Sequence, residues 1–446
     1  MTILYQKPKF KMSLEQTSTM KTTPFDETFL TDLKSVINTA KIHDQEYTKN
    51  IGLKVSSRDG YDIVRYDKSV MSRSSYDITG ILRSVVFHDE EVVCFSPPKS
   101  VDLSLISEMH HTYIDESPRL EEFVDGTMIN AFYHKKKWQI STRSVLGANT
   151  SFYNDMTRSP KTYKQMFEDC LKQTNFKLEN LDPKYCYSFV IKHPDNRIVE
   201  KIHEPSMYLC AVYRIEGTKV YNIPMNSIVF QNQEKKIEFN PEIEIMFRNS
   251  TVRVPFVDLS RTIEEAFQVY ANPNSTPYET RGIIVKLGNM RAKINNPNYN
   301  HVRKLRGNQS KLQYKFYELR QSNALGEYLN YFPEHSLLFQ ILEEEVIYFQ
   351  DILYLLYREV YIFKRLNIEL VPYEYKNHVR NIHGFYIMNL NLGRKQRIHK
   401  DNIRYYTYKL QPAMLMFTIN YNKHSHSNEP NQINEHKAQV PVDVCS

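Results

Sequence analysis

Glycine is scarce in this chain: 12 of 446 residues, about 3% where roughly 7% is usual. No two glycines are spaced G-x-G, so the dinucleotide-binding turn is excluded. The P-loop pattern G-x-x-x-x-G-K-[ST] and the nucleophile elbow G-x-S-x-G are also missing. Any nucleotide must be held by another architecture. Cysteine is sparse too. Cys94, Cys170, Cys186, Cys210 and Cys445 are scattered, odd in number and never C-x-x-C. That pattern fits reduced thiols in a cytosol-like compartment, not a disulfide scaffold or zinc ribbon. There is no H-E-x-x-H. No apolar run approaches the roughly 18 residues of a membrane span, so no membrane is expected as a partner. The opening MTILYQKPKFKM is too short and polar for a signal peptide. Residues 1–24 read as a flexible lead-in, with Met12 or Met20 as alternative starts. Trp138, the single tryptophan, is expected to pack in a sheet.

The apolar share is 41%, with 13% aromatic, enough to bury sizeable cores in two or three domains. The formal charge of +7 permits a polyanionic partner without requiring one. Helical spacing predicts a helix over 26–43. Between Val55 and Val220 the pattern turns to short strands. A hairpin is expected around His88–Glu91, and three strands over 121–144 with turns at Asp125–Gly126 and His134–Lys137. Further strands are expected at 185–193, 197–202 and 207–215, and a hairpin at 280–294. Helices are expected at 160–174 and at 257–270, the latter capped by Asp258 or Ser260. Beyond Lys311 the apolar period becomes helical, with one long run at 336–366 and shorter ones near 374–390 and 401–419. The fold class is therefore α+β, with an antiparallel-sheet domain over 25–310, a helical domain over 311–420 and a disordered tail over 421–446.

Positive charge is concentrated. Residues 281–320 hold ten Lys/Arg and one acid, Glu318. Tyr299, Tyr314, Phe316 and Tyr317 are interleaved. A solvated basic face would explain this. So would a groove tracking phosphates, with stacking platforms for bases, which would make Arg281, Arg291, Arg303, Lys304 and Arg306 RNA contacts. His110, His111 and His193 lack partners at metal-ligand spacing and read as core or surface residues. His424, His426 and His436 sit in a polar tail.

Several segments stand in a telling order. Arg83 precedes the hairpin. FSPPKSV (95–101), EEFVDGTMI (121–129), WQISTRSVLG (138–147), YSFVIKHPDNRIV (187–199), YETRGIIVK (278–286) and MRAKI (290–294) follow. This order resembles the nucleotidyltransferase domain of phage-type RNA ligases, most of all the divergent RNA-ligase-like proteins of large DNA viruses. The resemblance covers roughly 50–320 and extends in kind to the helical C-terminal region. It implies a ligase-type fold, RNA and ATP as partners and Mg²⁺ as a cofactor. It also implies a lysine that attacks the α-phosphate of ATP, which requires its amine to be neutral. Arg83 matches the family arginine, Lys99 the lysine of P-x-K, and Lys293 the first lysine of K-x-K. Asp125 and Gly126 keep the D-G turn, and Arg143 falls at the basic position of T-[KR]. These residues and Lys286 are the nucleotide- or phosphate-binding candidates.

Four family positions are not kept. The nucleophile of K-x-D-G is Phe123, which cannot form a phosphoramidate. The glutamate of E-G-x-V aligns with Arg281, the second lysine of K-x-K is Asn295, and the glutamate before N-R-I-V falls near Val190. Glu279 lies two residues before Arg281, on the same strand face, and is the candidate metal ligand. Lys99 and Lys286 are substitute nucleophiles; their ordinary readings are a phosphate contact and a solvated strand lysine. Glu121 and Glu122 read as surface acids. Three functions follow: a nucleotide- or RNA-binding protein that does not adenylylate itself; an active ligase using a relocated lysine or pre-adenylated ends; and a protein-interaction module on an inherited fold.

Overall fold

The computed structural model describes residues 25–34, 45–70, 79–89, 91–110, 118–152, 160–231, 234–394 and 397–425. They fall into two compact units: the residues up to Ser151 with Lys161–Tyr299, and Phe152–Pro160 with the residues from Asn300 onward.

The first unit is built on antiparallel sheets. Six strands form the largest, in the order β1 (Thr28–Asp32), β11 (Lys219–Asn222), β10 (Ser206–Glu216), β9 (Tyr185–Lys192), β7 (Thr127–His134), β8 (Lys137–Ser141). A second sheet runs β2 (Leu53–Arg58), β3 (Tyr61–Tyr66), β4 (Val85–His88), β5 (Glu91–Cys94). A third runs β14 (Val257–Asp258), β6 (Arg119–Glu122), β15 (Gly282–Leu287), β16 (Met290–Asn295). Strands β12 (Asn226–Gln231) and β13 (Glu234–Phe239) pair as a hairpin. The central strand β9 is buried at every residue, which explains its near-continuous apolar run. One of its faces puts Cys186 in a core with Ile63, Val85, Phe95 and Phe132. The other packs Tyr187, Phe189 and Ile191 against Met166, Phe167 and Cys170 of the helix Tyr163–Gln173.

The second unit is helical. Its longest helix, Ser336–Tyr357, continues as a π-helical turn over Arg358–Ile362. Helices Leu312–Gln321, Leu325–Tyr331, Tyr373–Asn391, Lys400–Lys409 and Pro412–Ser425 complete it. Phe316, Tyr328, Phe332 and Phe339 are buried in mutual ring contact. Among the described residues, no helix is long and apolar enough to cross a membrane. The fold is thus α+β, with antiparallel sheets and a helical C-terminal region.

Four local expectations change. The helix read over 26–43 begins instead as strand β1, because Thr28–Asp32 completes the sheet edge against β11; residues 35–44 lie outside the described ones. Residues 197–202 form no strand. Their backbone is recruited by side chains: the Val199 N–H donates to Asp125 and the Val199 carbonyl accepts from Arg197 Nε. The helix at 257–270 starts only at Ile263 and is capped by Thr262. The Thr262 hydroxyl and the Glu265 carboxylate exchange bonds in a capping box. Asp258 instead binds Ser260 and Arg261. The tail read from 421 is helical to Ser425. The lead-in and residues 426–446, with His426 and His436, lie outside the described residues, as do His111 and Cys445.

Candidate functional site

Alternation along the third sheet builds a two-faced surface. Leu120, Ile283, Val285, Leu287, Ala292 and Ile294 point to one side. There they form a core with Ile106 of the helix Leu103–His110 and Ala266 of the helix Ile263–Tyr270. The register pairs Ile284 with Glu121 and Lys293, and Lys286 with Arg119 and Arg291. Arg119, Glu121, Lys286, Arg291 and Lys293 therefore share the opposite face. Phe123, two residues after Glu121, continues it beside β15, donating its N–H to the Gly282 carbonyl at 3.3 Å.

Phe123 is buried, and its ring meets two cations. The Arg281 guanidinium carbon stands 3.8 Å from the ring centroid and Lys293 Nζ 4.9 Å. Arg281 Nη1 also donates to the Val124 carbonyl at 3.0 Å and stands 3.8 Å from Asp125 Oδ1. Burial, then the charges of Arg291, Arg83, Arg281 and Lys68, pull the Lys293 amine down to about 7. Burial likewise lowers Arg291, and burial with the Arg291 charge lowers Arg83 to about 10. The buried Nε of Arg291 has no hydrogen-bond partner among the described residues. Cations crowd one another here, and an anion would relieve the repulsion.

The other sequence candidates are placed as follows. Arg83 Nη1 donates to the Pro97 carbonyl at 3.4 Å. Arg143 lies over the Tyr66 ring, 4.8 Å from its centroid, and its Nε donates to the Arg83 carbonyl. Lys99 is anchored by its N–H on the Gly80 carbonyl, and burial lowers its amine. Asp125 is buried and accepts from the Tyr299 hydroxyl at 2.6 Å and the Val199 N–H at 3.3 Å. Gly126 has φ +147°, and a Cβ there would lie 2.4 Å from the Ile191 carbonyl oxygen. Only glycine lets the D-G turn approach β9 so closely.

Two residues differ from their sequence reading. Lys286 is not a solvated lysine: its Nζ lies 2.6 Å from Glu121 Oε2. Glu121 is not a surface acid. It is 4% exposed and clamped between Lys286 and Arg119. Burial would raise its carboxyl, but those cations outweigh burial and hold it below the ordinary range. Glu122 gives its Oε2 to the Phe256 N–H at 3.3 Å.

The basic stretch 281–320 is divided between the two units. Arg281, Arg291 and Lys293 belong to the site. In the second unit Arg303 and Lys304 are exposed, whereas Arg306 is buried over the Phe152 ring. Lys315 pairs with Glu318 and Arg320 with Glu343. Tyr299, Phe316 and Tyr317 are buried at 1–2% exposure, so these three are core residues and not stacking platforms. His193 is buried and shares Asp169 with Lys161. Trp138 packs between Tyr133 and Tyr187.

No protein-family description matches this chain. It is 32% identical over 108 residues to an RNA ligase of Rhodothermus phage RM378, covering 23% of this chain and 24% of that protein. It is 25% identical over 245 residues to the immediate-early protein ICP-46 homologue of Invertebrate iridescent virus 3, covering 54% and 49%. The chain thus spans about a quarter and about half the length of these curated relatives. A Naegleria gruberi RNA ligase variant solved with ATP and Mn aligns at a TM-score of 0.32 with 13% identity, over 49% of this chain and 60% of that one. The chain resembles the phage-type RNA ligases and the RNA-ligase-like proteins of large DNA viruses.

Phe123 stands where the resemblance puts the nucleophilic lysine, and Arg281 where it puts a glutamate. The resemblance also implies a divalent metal, and the carboxylates present do not fit one. Asp125 has Tyr299, Val199 and Arg281 on its two oxygens, and Glu121 has a cation on each. Glu279 is hydrogen-bonded by the Tyr278 hydroxyl. No group of three or more His, Cys, Asp or Glu among the described residues is placed to hold a metal. Sequence reasoning missed the Glu121 clamp and the Phe123–Arg281 stack. The signal was present: a phenylalanine at 123 and an arginine at 281 are a compatible pair, since an aromatic ring accepts a cation.

Proposed function

We propose that this RNA-ligase-like chain binds the polyphosphate of ATP, and RNA, without forming lysyl-AMP at the family position. One observation carries the reading: the buried Phe123 ring holds Arg281 at 3.8 Å and Lys293 at 4.9 Å, gathering positive charge where a nucleophile would stand. Arg83, Arg291 and Lys293 are its phosphate contacts, with Lys99 and Arg143 positioning the segments around it. Arg303 and Lys304, exposed on the helix Pro297–Arg306, are its RNA contacts. The likeness to a phage RNA ligase supports RNA as the polymer.

Incubation with α-labelled ATP, followed by peptide mass spectrometry beside a working ligase, tests the reading. The expected result is bound ATP and no AMP adduct. A second reading rests on Lys293, whose amine falls to about 7 and is therefore partly neutral at physiological pH. In it, Lys293 Nζ forms the bond to the α-phosphorus, pyrophosphate leaves and the amine proton passes to water. Lys286 is closed to this role by Glu121. An AMP adduct on Lys293 would establish this reading and overturn the expectation that no adduct forms.

A further inference from the structure

We propose that this cluster of cations takes a polyphosphate free of divalent metal: ATP or inorganic triphosphate in its uncomplexed, fully charged form. The inference rests on the polyphosphate reading above and deepens it. It begins with the donors. Mg²⁺ and Mn²⁺ need carboxylate or other oxygen ligands with lone pairs to give. On this face the oxygens are already committed. Arg119 lies 2.7 Å from Glu121 Oε1 and Lys286 2.6 Å from its Oε2. Asp125 holds the Tyr299 hydroxyl at 2.6 Å. Recruiting either acid to a metal would strip two half-buried cations or a buried hydroxyl of their partners.

The cations point the same way. The charges acting most strongly on Lys293 are those of Arg291, Arg83, Arg281 and Lys68, all positive. Arg291 adds a buried N–H with no acceptor among the described residues. A metal cannot satisfy that donor, whereas a phosphate oxygen can. A divalent ion arriving with the ligand would meet the same repulsion the four side chains already feel. It would also cancel two of the negative charges that draw the ligand in. Arg281, at the position where the resemblance puts a glutamate, supplies positive charge where a metal-binding carboxylate would otherwise stand. The arginine is held there by the Val124 carbonyl and the Phe123 face.

The test is calorimetric titration of the full chain with ATP and, separately, with inorganic triphosphate. Each is run in EDTA and again in excess MgCl₂ at matched ionic strength, so that screening is equal. Both ligands are expected to bind at least fivefold more tightly in EDTA. Equal affinities for the two ligands place recognition in the phosphate chain, and tighter ATP adds the nucleoside; the EDTA preference is required in either case. Affinity equal or higher in MgCl₂ would overturn the inference and leave the polyphosphate reading standing. Absence of binding under both conditions would overturn the polyphosphate reading itself.

Discussion

If the Phe123 ring holds Arg281, removing either must cost stability, and removing both must cost less than the sum. Phe123→Leu keeps an apolar side chain and deletes the ring; Arg281→Met keeps the stem and deletes the charge. A desolvated cation on a ring contributes about 2 kcal/mol, and an exposed one about 0.5–1. With Phe123 buried and the guanidinium at 3.8 Å, a coupling of about 1.5 kcal/mol is expected from the double-mutant cycle. Arg281 also loses its bond to Val124 in both arms of the cycle, so that contribution cancels. Urea unfolding followed by tryptophan fluorescence is suited to the measurement. Trp138, the single tryptophan, lies on β8 in the same unit, 5.4 Å from Tyr133 and 6.1 Å from Tyr187 between ring centroids. At a slope of roughly 3 kcal/mol/M the coupling is about 0.5 M in the midpoint. A coupling below about 0.3 kcal/mol, the ordinary error of additivity, would show that the ring only fills space.

Other consequences are open to measurement. The Lys293 amine, held near 7 when folded against its ordinary 10.5, binds a proton less readily folded than unfolded. Its contribution to stability therefore rises with pH between about 7 and 10.5, while affinity for triphosphate falls about tenfold from pH 6 to pH 8 as its charge is lost. Lys293→Met should flatten that binding profile, and an unchanged profile would assign the titration elsewhere. Gly126→Ala places a Cβ 2.4 Å from the Ile191 carbonyl oxygen. It should cost about 2–4 kcal/mol in urea unfolding, and a loss under 1 kcal/mol would mean the turn can move away from β9. Arg303→Ala with Lys304→Ala should flatten the log–log salt dependence of single-stranded RNA binding by about 1.4, at roughly 0.7 per phosphate contact. An unchanged slope in filter binding would remove these two residues from the RNA surface.

Much of the sheet architecture was legible because strand alternation and turn chemistry are local. The D-G turn, the hairpin at His88–Glu91 and the β15–β16 hairpin follow from sequence neighbours alone. Two of the mistaken readings share a cause, which is competition from distant residues. Thr28–Asp32 has a helical apolar period, yet β11, nearly two hundred residues away, offers it a sheet edge. Residues 197–202 have a strand composition, yet Asp125 takes the Val199 N–H.

At the site, the sequence by itself determined which chemical groups are available. A phenylalanine at position 123 has no nucleophile to offer, whatever surrounds it. Arg281, Arg291 and Lys293 supply positive charge wherever the chain leads. Only the tertiary structure decided which of these charges are free to meet a ligand. Lys286 and Lys293 lie on neighbouring strands and on the same sheet face. The first is neutralised by Glu121 at 2.6 Å, while the second faces an aromatic ring and three arginines. Strand register makes that distinction, because it fixes which side chain from another strand stands opposite each lysine, and an ion pair forms only at a distance the sequence does not contain.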